Sequence, residues 1–423
     1  MPQDQPPFEI TADHPTPIVR DFEVFLDAVG QPSAFLTKAR QALDRATLYA
    51  LNSQMRTFQS DAHPRTDQHF YPLLHLFQRI CLAARLHRLS EEKGKLHMVP
   101  GEGLAAFRAL RPAERYLALL EALWVDCDWG DILSSMHLFN EIGLECLVEA
   151  FEPLAAGQEV AAQKPAHWRR FYAAFRMPEV IQVFSFFGFL NYTPGSLDYQ
   201  YRKGQFTIQT LTLSPLGKAF LTVLRTDRPF QLWNLPTRRQ WGVEPTRFPG
   251  QALEGKEGGV AEPTPFHAAF LPLLAPGSVW AGLPRAKRKR GKRTFVFRVS
   301  YGKCWRTIAL SSKHSLDDLH LAIQDAYRFD DDHLYAFYMD GKPYSKNAYH
   351  DSRGGDATPY ADLAQIGDLD LRVGQRVLYL FDFGDSWEFD VELLEIRDKP
   401  HKGAPRILKK VGRSPEQYSR DGW

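Results

Sequence analysis

The chain has 423 residues, a hydrophobic fraction of 44%, a charged fraction of 24% and a formal net charge of +2. That length predicts two to three domains, and the composition excludes overall disorder; bulk charge does not mark a nucleic-acid binder, so any such binding must rest on local patches. Cys81, Cys127, Cys146 and Cys304 form no CxxC pair, which argues against a Cys-rich zinc site or a disulfide scaffold and for a reducing cytoplasm.

The first stretch, "MPQDQPPFEITADHPTPIVRD", lacks the basic-then-apolar pattern of a signal peptide. No run of about 18 apolar residues follows anywhere, so no membrane span is expected. "RDFEVFLDAV" and "SAFLTKARQALDRATLYALNSQM" carry apolar residues at three- and four-residue spacing and predict helices, the second capped by Ser33. "FYPLLHLFQRICLAARLHRL" and "PAERYLALLEALWVDC" continue the helical pattern.

Two stretches interrupt it in the same way, "ARLHRLSEEKGKLHMVPGEGLAAFRALR" and "GFLNYTPGSLDYQYRKGQFTIQTLTLSPLGKAFLTVLR". Each reads as helix, strand, a turn ending in Lys-Gly (Lys93-Gly94, Lys203-Gly204), strand and helix, the outline of a winged-helix unit. Ser214 as cap and Pro215 at the first helical position give the second unit a defined strand-to-helix junction. The helix before its wing, "PEVIQVFSFFGFL", has no Lys or Arg, so it suits a buried or protein-facing role better than groove reading. A protein partner for the N-terminal region follows as an expectation.

Residues from about 243 to 284 are rich in Pro, Gly and Glu and read as a joint holding one helix-like insert, "PFHAAFLPLL". "RAKRKRGKR" at 285–293 has seven basic residues in nine: Arg285, Lys287, Arg288, Lys289, Arg290, Lys292 and Arg293. It reads either as a phosphate-contacting arm or as a solvated tether. The expected organisation is α+β: a helical region with the first unit at 1–160, the second unit at 161–242, a basic linker at 243–293 and an α+β domain at 294–423.

In that last domain "TFVFRVSY" and "CWRTIALS" alternate and predict a hairpin turning at Gly302-Lys303. "SLDDLHLAIQDAYRF" predicts an amphipathic helix with Ser315 and Asp318 as a capping box. "HLYAFYMDG" predicts a strand, and "RVLYLFDFGDSWEFDVELLEI" a second hairpin. Its outgoing arm puts Trp387, Phe389, Val391 and Leu393 on one face and Glu388, Asp390 and Glu392 on the other.

"CWRTIAL", "LDDLHLAIQDAYRFDDDHLYAFYMDG", "YLFDFGDSWEFDVEL" and "GRSPEQY" together resemble the plasmid pRiA4b ORF-3-like family, over residues 294–418. The resemblance implies an α+β fold and a setting on plasmids or beside insertion elements. Some members carry the label of a TnpR resolvase, but the resemblance supplies no catalytic residues. Phe329 and Phe389 stand where many members have Trp and His.

Two functional readings follow. In the first, the protein is a non-catalytic, mobile-element-associated accessory protein that binds nucleic acid or protein, with no cofactor. Its electrostatic footprint is the basic run with Lys402, Arg406, Lys409, Lys410 and Arg413. In the alternative, His320, His333, Asp382 and Asp385, with Asp331 or Asp332, hold a divalent metal for phosphodiester hydrolysis. Against that, Asp-Phe-Gly-Asp-Ser at 382–386 suits a tight turn with Gly384 at positive φ and Asp382 as backbone acceptor. Trp305 and Arg306 are candidate ligand contacts, or else packing and a local ion pair.

Overall fold

The structure is a computed structural model that describes residues 7–37, 41–92, 94–133, 142–164, 166, 171, 177–195, 207–240, 249–250, 264–285, 293–345, 347–355, 359–369, 371, 373–399 and 401–418. One compact unit contains the described residues up to Thr237 and those of 249–285; the second contains those from 293 onward.

In the first unit, α1 (Ile18–Val29) turns Ile18, Phe22, Phe25, Leu26 and Val29 into the core at helical spacing. Asp21 is buried with them, and its carboxylate accepts the Arg56 and Thr57 N–H groups at 2.8 and 2.9 Å. α2 (Arg45–Asn52) is capped by Asp44, which accepts from Ala46 and Thr47. The helix expected from Ser33 does not form. Leu36, only 2% exposed, instead bridges Leu43 and the later Leu96, so burial in a small sheet overrides local helical spacing.

α3 (Pro72–Ala83) runs into β1 (His87–Glu92), a turn with Gly94 at φ +79°, and β2 (Lys95–Pro100), then α4 (Leu104–Ala109) and α5 (Pro112–Glu121). After α6 (Ile142–Phe151), a similar order appears: β3 (Glu159–Ala161), α7 (Pro178–Phe186), β4 (Leu190–Gly195), β5 (Thr207–Leu213) and α8 (Pro215–Thr226). In both segments a short extended piece pairs antiparallel with the second hairpin strand, Leu36 with β2 and β3 with β5. The Lys203-Gly204 turn lies outside the described residues. α8 begins as its sequence predicts: the Ser214 hydroxyl accepts the Gly217 N–H at 2.8 Å behind Pro215. Gly217 is required there, because a Cβ would lie 1.8 Å from the Phe189 carbonyl oxygen.

α3 buries Leu73, Leu76, Phe77 and Ile80, α7 buries Val180, Ile181, Val183 and Phe184, and the two helices pack together. Residues 264–285 add Phe266, Phe270 and Leu274 to the same core. Arg228 fixes them from inside, donating to the Phe266 and Pro265 carbonyls at 3.1 and 2.9 Å. Glu114 holds them from the other side, accepting the Trp280 and Ala281 N–H groups; burial would raise its pKa, but these bonds and Arg111 hold it down at about 2.

The second unit is one seven-stranded antiparallel sheet. It contains β6 (Thr294–Tyr301), β7 (Cys304–Ser311), β8 (Tyr335–Tyr338), β9 (Ala348–His350), β10 (Arg376–Phe381), β11 (Trp387–Arg397) and β12 (Arg406–Val411). Their spatial order is β12-β7-β6-β11-β10-β8-β9. α9 (Leu316–Tyr327) lies on one face and shares a core with Phe297, Val299, Ile308, Tyr379 and Phe389. Its capping box is formed: the Asp318 N–H donates to Ser315 Oγ at 3.1 Å and the Ser315 N–H to Asp318 Oδ2 at 2.8 Å. The architecture is therefore α+β, and among the described residues no helix is long and apolar enough to cross a membrane.

Candidate functional site

α9 aims His320 at the sheet, where it is 1% exposed. The ring stacks on Tyr335 at 3.8 Å, its Nδ1 lies 2.7 Å from the Tyr379 hydroxyl and its Nε2 3.0 Å from Asp331. Gln324 Nε2 also donates to that hydroxyl, at 2.8 Å. One hydrogen assignment satisfies all three contacts: Tyr379 donates to Nδ1, and Nε2–H donates to Asp331. Burial lowers the His320 pKa, with Asp331 acting in the opposite direction, so the ring is held neutral.

Arg353 extends the network outward. It reaches Asp331 at 2.8 Å, Asp351 at 2.7 Å and the His333 carbonyl at 3.1 Å. The bonds to Asp351 and Asp331 raise its own pKa. Tyr335 donates to Asp317 at 2.6 Å, closing the set. The sequence offered Asp331 or Asp332 as a neighbour of His333; Asp332 lies 3.9 Å from that ring, whereas Asp331 serves His320. Arg353, Asp351 and Tyr379 gave no local signal.

His333 belongs to a different place. It is 44% exposed, with Nε2 3.5 Å from Asp382 and 3.9 Å from Asp332. Asp382 spends its other oxygen on the turn, accepting the Gly384 and Asp385 N–H groups at 2.9 and 3.3 Å. The left-handed residues of that turn are Asp382 and Ser386, both at φ 54°, and not Gly384. An aspartate tolerates this conformation because its own side chain bonds the backbone ahead of it. Asp332 accepts from Tyr418 and Gln417, and the Tyr418 bond lowers its pKa. Asp385 is exposed.

The structure thus brings His333 to Asp382 and places His320 in a separate buried network. For His320 to bind a metal beside His333, one of its ring nitrogens would have to give up Tyr379 or Asp331. Among the described residues, no group of three or more His, Cys, Asp or Glu side chains is arranged to hold a metal ion.

Arg306 is 3% exposed, and it is occupied. Its guanidinium donates to the carbonyls of Ala326, Trp305, Val411 and Gly412 and to Ser414 Oγ, and lies 4.7 Å over the Tyr327 ring. The expected ion pair is instead a clamp on carbonyls that fastens β12 to α9. Trp305 faces the other way and is half-buried, between Arg298 at 5.4 Å and Lys409 at 5.2 Å from its ring centre.

The basic run divides. Arg285 bonds Glu121 at 2.8 Å and Asp126 at 2.7 Å within the first unit, and those two carboxylates raise its pKa. Arg293 lies over Phe295 at 5.5 Å. Lys287, Arg288, Lys289, Arg290 and Lys292 lie outside the described residues. Lys402, Arg406, Lys409 and Lys410 are exposed on or beside β12, and among the described residues none meets a carboxylate. Arg413 pairs with Glu416 at 3.1 Å, yet its side chain stays 88% exposed.

The class of domain this geometry defines is an antiparallel sheet with one capped helix on one face, a buried polar network and a cationic edge strand. Residues 298–418 match the family model described as Plasmid pRiA4b ORF-3-like protein, the family whose motifs this region resembles. Among solved structures, the crystal structure of a protein of unknown function from Methanosarcina mazei Go1 is similar, at 23% identity and a TM-score of 0.26. That match covers 30% of this chain and 74% of the other. No curated protein matches the chain.

Proposed function

We propose that the protein is a non-catalytic accessory protein of mobile DNA that binds nucleic acid through β12 together with the basic residues of 287–292. The observation that carries this reading is the contrast in how cations are used. Arg45, Arg85, Arg108, Arg115, Arg285 and Arg353 each face a carboxylate. Lys402, Arg406, Lys409 and Lys410 cluster in nine residues of exposed chain without one. Unneutralised cations gathered on one edge are what phosphate binding requires.

The first unit takes a different part in this reading. Its two helix–hairpin–helix segments are of winged-helix type, but α3 and α7, which would have to enter a groove, face the core and each other. We assign that unit to a protein partner.

The test is binding of labelled DNA and RNA by the full chain across a salt series. Replacing Lys402, Arg406, Lys409 and Lys410 with alanine is expected to make the slope of log K against log salt shallower by about 3. Unchanged retention, both in that variant and after neutralising Lys287, Arg288, Lys289 and Arg290, would sink the reading.

A further inference from the structure

We propose that the nucleic acid is single-stranded, and that it binds on the face of β6, β7 and β12 opposite α9, with Trp305 as the stacking platform. This rests on the nucleic-acid reading above and deepens it.

The geometry is that of three adjacent strands. Ser300 pairs with Trp305 across β6 and β7, and Val411 pairs with Trp305 across β12 and β7. Arg298 and Lys409 both pair with Thr307. Alternation along β7 turns Cys304 and Arg306 toward α9, so Trp305, Thr307, Arg298 and Lys409 share the opposite face. The half-buried indole therefore has a cation from each neighbouring strand, Arg298 and Lys409, 5.4 and 5.2 Å from its ring centre, and a stacking base displaces one of them toward the phosphates. Among the described residues its N–H has no protein acceptor, which leaves a donor free for a base or phosphate. Arg298 reaches Glu392 only at 3.8 Å and keeps 43% of its side chain exposed.

An indole can stack only on a base that has left its duplex partner, while cations beside it follow the backbone. A duplex keeps its base faces stacked and offers an indole only base edges and phosphates.

The experiment uses the full chain and a labelled oligothymidine of about 15 nucleotides, the scale of one such site, against a duplex of equal length. The single strand is expected to bind more tightly. Trp305→Ala is expected to weaken it about 10-fold with the salt slope unchanged, because stacking and not charge is removed. Trp305→Phe is expected to retain most of the affinity. Circular dichroism and thermal melting establish that each variant is folded.

If Trp305→Ala binds as wild type while Arg406→Glu with Lys409→Glu and Lys410→Glu abolishes binding, stacking is refuted and the nucleic-acid reading stands. A preference for duplex refutes the single-strand inference in the same way. If no nucleic acid binds, or the charge reversal has no effect, both readings fall, and an acidic protein becomes the partner for β12.

Discussion

Arg306 and Lys409 stand on neighbouring strands of one sheet and put the same charge to opposite uses. Arg306 faces inward and gives its N–H groups to four carbonyls and a hydroxyl, so its charge is consumed by the fold. Lys409 faces outward and, among the described residues, meets only the Trp305 ring and no carboxylate. A count of basic residues cannot tell the two apart. The difference teaches that the functional cations are those the fold does not use.

The comparison breaks first at Arg306. Replacing it with alanine strands buried carbonyls and releases β12 from α9, and a loss of about 3–5 kcal/mol in the unfolding free energy is expected. Lysine should not restore it, since a point charge cannot span the carbonyls that a planar guanidinium reaches. A variant with an unchanged denaturant midpoint would show that the clamp is ornamental. Arg285→Ala is the sharper probe, because this residue opens the basic run yet is bound to Glu121 and Asp126. It should cost about 2–3 kcal/mol of stability and leave nucleic-acid affinity within about twofold. A large loss of affinity in the folded variant would contradict the division drawn here.

Local features were legible in the sequence. Ser214, the Ser315–Asp318 capping box and the alternation of Phe389, Val391 and Leu393 rest on contacts between near neighbours, where periodicity and hydrogen-bonding chemistry suffice. Ser33 was misleading, because the burial of Leu36 against Leu96 is a distant pairing. The candidate site was legible only in part. His320, Asp382 and His333 were visible as residue types, but the Tyr379, Arg353 and Asp351 partners depend on which strands the sheet brings together. The split of the basic residues into spent and free was invisible for the same reason, since Arg285 finds its carboxylates 164 and 159 residues away.

The smallest effect is a dependence of stability on pH at His320. His320 is buried against Tyr335 and Tyr379 on the sheet side, with Asp331, Asp317 and Arg353 as its charged neighbours. Its folded pKa is lowered by burial, so the unfolded chain binds the proton more readily than the fold does. Its contribution to stability is complete above the unfolded histidine pKa of about 6.5 and is lost as pH falls from there toward the folded value. The slope from one such group is at most about 1.4 kcal/mol per pH unit. His75, His87, His267 and His350 are lowered by burial as well, so the wild-type decline is shared. His320→Gln should therefore flatten the fall in urea midpoint between about pH 7.5 and 5 only in part. A His320→Gln variant with the full wild-type decline would place the acid sensitivity in the other histidines and leave His320 a neutral packing residue.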